Sequence, residues 1–406
     1  MPVSDDDLVS IFRAGVGPDV TGPLGIAVSG GGDSMALLHL AHRAGWPVAA
    51  VTVDHGLRPE AADEAAMVAR FCARIGVDHA TLHWAGPAST GNLMDQARRA
   101  RYELIGDWAR ACGIGHVALG HTADDQAETL LMGLARKAGL DGLSGMRRMW
   151  LEKGVEWRRP LLSLGRGTLR DHLRRHDVPW AEDPTNDDDR YTRVKARRAL
   201  NALAPLGITV AGLAAIAENL DFARSALTWS VKREADTIVT EQAGALTLDR
   251  EALLLLPVEV QRRILMAALQ WLSGCTYPPR ETGLNRVQLA VRLGTRATLS
   301  GCQIIATVPK IRILREPKAA GGPVPVGTLW DHRWIVEGPP GEVRALGPRG
   351  LPQVPNWRGL GIPREALLVT PAVWDGDALL SAPVAGMENG WKARILAPFH
   401  RFAVSH

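Results

Sequence analysis

The sequence predicts an α/β protein: a parallel sheet covered by helices on both faces, then a helical connector, then a small β-rich C-terminal domain. Three observations predict it. Short apolar runs alternate with helical patterns over roughly the first 130 residues. One long helical pattern runs from about Thr209 to Gln242, and strand-like stretches between Gly/Pro clusters take over after Gly294. The division expected is 1–205, 206–293 and 294–406.

"GIAVS" (Gly25–Ser29) reads as the first strand and "SMALLHLAHRAG" as a helix closed by Gly45. "PVAAVTVDH" (Pro47–His55) is a second strand, "EAADEAAMVARFCARIG" a second helix, "DHATLHW" a third strand. "NLMDQARRARYELIGDWARACG" is a long helix and "GHVALGH" (Gly115–His121) a fourth strand. Strands separated by helices of this length need crossover connections, which favour parallel pairing. Beyond Pro160, "GRGTLRDHLRRHDVPW" reads as a short amphipathic helix with a basic outer face. An acidic turn and a basic helix follow in "AEDPTNDDDRYTRVKARRALNALAPLG". The long pattern after Thr209 places Leu213, Ile216, Leu220, Ala223 and Leu227 along one face, and another helix covers Val258 to Leu272. "ATLSGCQIIATV", "KIRILRE" and "TLWDHRWIVEG" are strands of the β-rich part.

Apolar residues make up 46% and charged residues 22%, enough to bury a sizeable core. The opening "MPVSDDDLVSIF" is acidic and lacks a signal-peptide layout, and runs such as "ALLLLP" are too short to span a bilayer. A cytoplasmic protein without a membrane partner is expected. Cys72, Cys112, Cys275 and Cys302 are scattered with no Cys-x-x-Cys, so packing explains them better than disulfides or a metal cluster. Net charge is only +4, yet Arg136 to Arg198 holds sixteen Lys/Arg against ten Asp/Glu. A basic block of that kind suits a polyanionic partner. A solvated arginine-rich surface is the plainer alternative.

The stretch "IAVSGGGDSMALL" carries most of the chemistry. A strand ending in Ser29, Gly30, Gly31, Gly32, Asp33 and Ser34 and opening a helix gathers backbone N–H groups at a helix N-terminus. Without Cβ atoms the backbone can approach a phosphate closely. No Gly-Lys-Ser/Thr is present, so transfer of a γ-phosphate is not indicated. A carboxylate inside such a nest repels phosphate unless it holds Mg²⁺ or orients a neighbouring donor, and Asp33 is that carboxylate. A tight turn with Asp33 or Ser34 capping the helix is the structural alternative.

At these residues the chain resembles the PP-loop family of ATP pyrophosphatases, whose Ser-Gly-Gly-x-Asp-Ser signature Ser29–Ser34 matches. The resemblance implies a Rossmann-like sheet, ATP as cosubstrate and cleavage between its α and β phosphates. Four further stretches, "VDHGLR", "ARRARY", "GHTADDQAET" and "GLDGLSGM", are together similar to the tRNA(Ile)-lysidine synthase branch. That similarity covers Leu24 to Arg198 well and the C-terminal parts more loosely. It implies that the C2 oxygen of a wobble cytidine attacks the α-phosphate, and that free L-lysine then displaces AMP. The partner would be an isoleucine tRNA with a CAU anticodon, whose reading changes from AUG to AUA. A homodimer is compatible with the resemblance.

Asp125 and Glu128 stand at i and i+3 early in a helix, so both carboxylates share one face. One could deprotonate lysine's ammonium and the other hold the amine or a metal. "TADD" also reads as a capping box joining Thr122 to Asp125. By resemblance Arg101 and Arg193 are the cationic catalytic groups, with Asp33 beside them, while Arg190, Arg197 and Arg198 face tRNA phosphates. The alternatives are a solvated helix face for Arg101 and local pairing with Asp187 and Asp189 for the later arginines. Two departures stand out: Lys137 follows Arg136 where the family has glycine, and Val194 follows Arg193 where asparagine is common. The closest rival is a PP-loop tRNA thiolase, which usually needs cysteines in a pattern this chain lacks. A non-catalytic tRNA-binding module has no use for Asp33, Asp125 and Glu128 in a phosphate site.

Overall fold

A computed structural model describes residues 3–56, 60–86, 93–182, 192–275 and 277–405. The chain divides into two compact units, Met1–Arg224 and Ser225–His406.

The first unit opens with helix α1 (Asp5–Val16), started by a Ser4–Asp7 capping box. Strand β1 (Leu24–Ala27), helix α2 (Gly32–Arg43), β2 (Val48–Asp54), α3 (Ala61–Ile75), β3 (Asp78–His83), α4 (Leu93–Ala111), β4 (His116–Leu119) and α5 (Ala123–Ala135) follow. Then come the short α6 (Leu140–Leu143), β5 (Met149–Glu152), β6 (Val155–Arg158), α7 (Arg166–Arg175) and α8 (Thr192–Leu203). The sheet order is β3-β2-β1-β4-β6-β5. All neighbours are parallel except the edge strand β5. One face packs Leu8, Phe12, Met35, Leu38, Phe71 and Leu169 from α1, α2, α3 and α7. The other packs Ile105 and Ala109 of α4 against Val51, Val117 and Trp157. The predicted Rossmann-like sheet is therefore present, with both faces buried.

The order carries a functional consequence. β1 and β4 are far apart in sequence but adjacent in the sheet, with Ala27 level with Leu119. The chain reverses its lateral direction between them, so the loops leaving both strands open into one crevice. Those loops, with the first residues of α2 and α5, hold Ser29–Ser34 and Gly120–Asp125.

A 29-residue helix, α9 (Val210–Ile238), links the units along the chain. Leu213, Leu220 and Leu227 turn inward as expected, but Ile216 and Ala223 are exposed and Ala217 is fully buried. The inward stripe follows 213, 217, 220, because a 3.6-residue turn carries position i+4 closer to i than i+3.

In the second unit, β7 (Val239–Gln242), β8 (Ala245–Asp249), β9 (Arg296–Leu299), β10 (Cys302–Ala306) and β11 (Lys310–Arg315) form a sheet ordered β7-β8-β11-β10-β9. Helices α10 (Arg250–Leu255), α11 (Val258–Ser273) and α12 (Glu281–Leu293) lie within the same span. Leu265, Leu269 and Val287 pack with Leu246, Ile304 and Ile313 in one core. Two strands thus fall where the sequence read only helix. A second, four-stranded sheet and a two-stranded one follow after Val324. Among the described residues no single helix is long and apolar enough to cross a membrane.

Candidate active site

α2 begins at Gly32 with Gly31 at the N-cap and no side-chain cap, so its first N–H groups are left to the crevice. Ser34 does not cap the helix. Its hydroxyl donates to Gly31 O at 2.9 Å and accepts from the Ser29 amide at 3.1 Å, which closes the loop on itself. Gly30 sits at φ +86°, open to glycine, and its carbonyl accepts from Ala181 N. Gly120 is as constrained: a Cβ there would lie 2.9 Å from the Asp33 carbonyl and the Ser34 amide. A side chain at 120 would push the loop away from β4.

Asp33 does not cap the helix either. Its Oδ2 accepts from Arg166 Nε at 3.1 Å. The same guanidinium donates from Nη2 to Asp125 Oδ1 and from Nη1 to Glu128 Oε1, both at 2.7 Å. One arginine therefore meets three carboxylates from two motifs. Asp125 uses its two oxygens separately: Oδ2 takes the Thr122 amide at 2.9 Å and hydroxyl at 3.0 Å, as the capping box predicts, and Oδ1 faces Arg166. Glu128 is fully buried, and its Oε1 also accepts from Arg197 Nε at 2.7 Å. Its Oε2 has no hydrogen-bond partner among the described residues, with Arg193 Nε 3.9 Å away. A buried carboxylate oxygen left unpaired is costly unless a donor arrives.

Together, burial and neighbouring charges shift Asp33 and Asp125 in opposite directions. Burial is the largest influence on Asp33 and, with the Asp125 charge nearby, raises its pKa despite Arg166. Burial also opposes ionisation of Asp125, but the Arg166 charge and the Thr122 amide outweigh it and hold the pKa below the ordinary value. His121, at the end of β4, is neutral: burial, then Arg159, lowers its pKa to about 3. Its Nδ1 accepts from Arg159 Nε at 3.0 Å, which leaves the proton on Nε2.

Arg101 is half-buried rather than on a solvated face, and its Nε is buried without a hydrogen-bond partner among the described residues. Burial lowers its pKa, and Arg98 and Arg193 add repulsion. Arg193 and Arg197 both reach toward Glu128, whereas Arg198, on the same helix α8, is exposed. Arg190, with its neighbours Asp187 and Asp189, lies outside the described residues, as does Arg58 of "VDHGLR". Cys72 and Cys302 are buried, and burial pushes each thiol up to about 11; Cys112 and Cys275 are exposed and free. Lys137 adopts φ +54°, the left-handed conformation for which glycine is favoured, so the departure leaves the turn intact at a local cost.

Sequence reading missed Arg166, although it carried a signal. A cation at the first residue of a helix opposes the macrodipole and needs anions in front of it. Asp33, Asp125 and Glu128 are those anions.

For Mg²⁺, the fit rests on Asp33. A carboxylate whose burial disfavours its charge, placed at a phosphate nest, matches an ion that takes one or two protein carboxylates and completes its shell with phosphate oxygens and water.

A family model described as PP-loop domain matches residues 10–204. A tRNA(Ile)-lysidine synthase of Ruegeria pomeroyi is 46% identical over 97% of this chain and 96% of its own length. Another, from Methylobacterium nodulans, is 35% identical over 79% of this chain and 98% of its own. Among solved structures, the U34-tRNA thiolase NcsA of Methanococcus maripaludis overlays with a TM-score of 0.47 and 16% identity, over 54% of this chain and 78% of that one. With nearly the whole chain matched in this way around an ATP-type phosphate nest and its carboxylates, the chain belongs to the tRNA(Ile)-lysidine synthase family.

Proposed function

We propose that this chain ligates free L-lysine to C2 of the wobble cytidine of an isoleucine tRNA with a CAU anticodon, consuming ATP. The cytidine O2 attacks the α-phosphate and pyrophosphate leaves. The lysine ε-amine then attacks C2 and expels AMP. The observation that carries this reading is the meeting of a lysine-free phosphate nest with Asp33, Asp125 and Glu128 at the ends of β1 and β4.

In this reading the N–H groups of Gly32 and its neighbours cradle the pyrophosphate portion, with Ser29, Gly30, Gly31 and Ser34 shaping the loop. Arg101 and Arg193 stabilise charge gathering on the phosphates. Asp33 would hold Mg²⁺, which supplies neutralisation of phosphate charge. Glu128 Oε2 is the unpaired acceptor for the ammonium, and Asp125 Oδ1, kept ionised, takes its proton. Segment 1–205 carries the chemistry, and segments 206–293 and 294–406 hold tRNA, with Arg190, Arg197 and Arg198 contributing phosphate contacts.

The test is to incubate the full chain with ATP, Mg²⁺, labelled lysine and bulk tRNA. Label should enter one isoleucine tRNA, with pyrophosphate and AMP released. Equal labelling of elongator methionine tRNA, or release of ADP, overturns the reading.

A further inference from the structure

We propose that Arg166 is a positioning residue that locks the carboxylates of the two half-reactions into one constellation, a role that rests on the reading above. Three acids within the span of one guanidinium repel one another, and all three are at least partly buried. Held apart by repulsion, Asp33 would drift from the phosphate nest and Asp125 and Glu128 from the amine. Each of the three guanidinium nitrogens takes a different carboxylate, at 3.1, 2.7 and 2.7 Å. A planar fork can do this, whereas the point charge of a lysine cannot.

A second, independent set of contacts fixes where that fork starts. The backbone amide of Arg166 donates to Asp124 Oδ2 at 2.8 Å, so α5 caps α7 from outside. The Ala123 amide, one residue before Asp124, donates to Leu164 O at 2.9 Å. Gly165, the N-cap of α7, supplies no side chain of its own. Asp124 thereby aims the arginine, and Arg166 aims Asp33, Asp125 and Glu128. Asp33 belongs to the adenylation step and Asp125 and Glu128 to the lysine step. Loss of Arg166 should therefore damage both steps, unlike loss of either acid alone.

The experiment uses the full chain with its tRNA. Pyrophosphate release is measured in a single turnover without lysine, and lysine transfer is measured from the adenylated tRNA. Arg166→Lys should keep a thermal midpoint near that of the parent while slowing both steps about a hundredfold. Arg166→Ala should be slower still. Millimolar methylguanidinium should restore its rates by about tenfold or more, whereas methylammonium at equal concentration should not. A purely structural arginine would show neither the rescue nor its preference for a planar cation. The proposal is overturned if Arg166→Lys keeps either step within about threefold of the parent, or if a folded Arg166→Ala ignores methylguanidinium. Should Arg166→Ala fail to fold, the Arg166→Lys rates decide alone. Failure of the unaltered chain to transfer lysine would count against the proposed function, while pyrophosphate release would still report on Arg166.

Discussion

Asp125 divides its work between two oxygens. Oδ2 is spent on the Thr122 amide and hydroxyl, which fixes the first turn of α5. Oδ1 points at Arg166 and toward the crevice. An asparagine at 125 can keep the capping acceptor but cannot take a proton. We therefore expect Asp125→Asn to retain cytidine adenylation, because O2 carries no proton to remove. Lysine transfer should fall by about two to four orders of magnitude, the usual worth of a positioned base. Tracking label from the α-phosphate of ATP would show adenylated tRNA accumulating. Arg193→Ala should slow adenylation itself, with no labelled intermediate. Identical profiles for the two variants would refute this division of labour.

At the scale of elements, α2 and α7 bring their N-termini to the active site and are tied together near their other ends. His39 of α2 bonds His172 of α7 through Nδ1 and Nε2 at 2.9 Å, and His172 Nδ1 donates to Asp5 Oδ1 of α1 at 2.9 Å. Arg175 and His176 hold the same carboxylate, at 2.7 and 2.5 Å. Because Asp5 only accepts, His172 presents a lone pair at Nε2 and His39 donates to it from Nδ1. Burial, then the cationic forms of His172 and His176, lowers the His39 pKa from 6.5 to about 3. Between those values the unfolded chain binds a proton at this position and the folded chain does not. Stability therefore rises with pH across that window and is lost as pH falls through it. His39→Gln keeps a hydrogen-bonding side chain without the titration. Thermal midpoints recorded from pH 7 down to pH 4 should decline less steeply for the variant than for the parent. Parallel declines would remove His39 from the account.

The parallel core was legible element by element, but two hairpins were not. Lys153-Gly154 joins β5 to β6 and Ala243-Gly244 joins β7 to β8, and both turns place two consecutive residues at positive φ. Such turns are recognised by asparagine, aspartate or glycine at the first position, and lysine and alanine give no such signal. Ser300-Gly301 makes the same kind of turn between β9 and β10. There the sequence reads as one strand-like stretch, Ala297–Val308, without a division at the turn.

For the whole molecule, a sequence pI near 9.0 and the basic block from Arg136 to Arg198 bear on tRNA rather than on lysine. Phosphate contacts release counterions, and a small zwitterion does not. Raising monovalent salt from about 50 to about 200 mM should raise the tRNA KM by about tenfold or more. The lysine KM, which in the proposed reading depends on short-range contacts to buried acids, should move by less than about threefold. Steady-state titration of each substrate at both salts checks this, and equal shifts would contradict it.

The sequence by itself determined the phosphate nest, the absence of a γ-phosphate lysine, and the pairing of Asp125 with Glu128 on one helical turn. These are local properties, fixed by glycine's missing Cβ and by the 3.6-residue repeat, so they can be read without knowing what lies opposite. Only the tertiary structure decided that Arg166, far along the chain in a helix read as an ordinary basic face, closes on Asp33, Asp125 and Glu128. It also decided that Arg197 turns to Glu128 and that Glu128 Oε2 has no hydrogen-bond partner among the described residues. Ion pairs of this kind depend on which strands are neighbours in the sheet. Strand order is set by long-range packing, which no local pattern encodes.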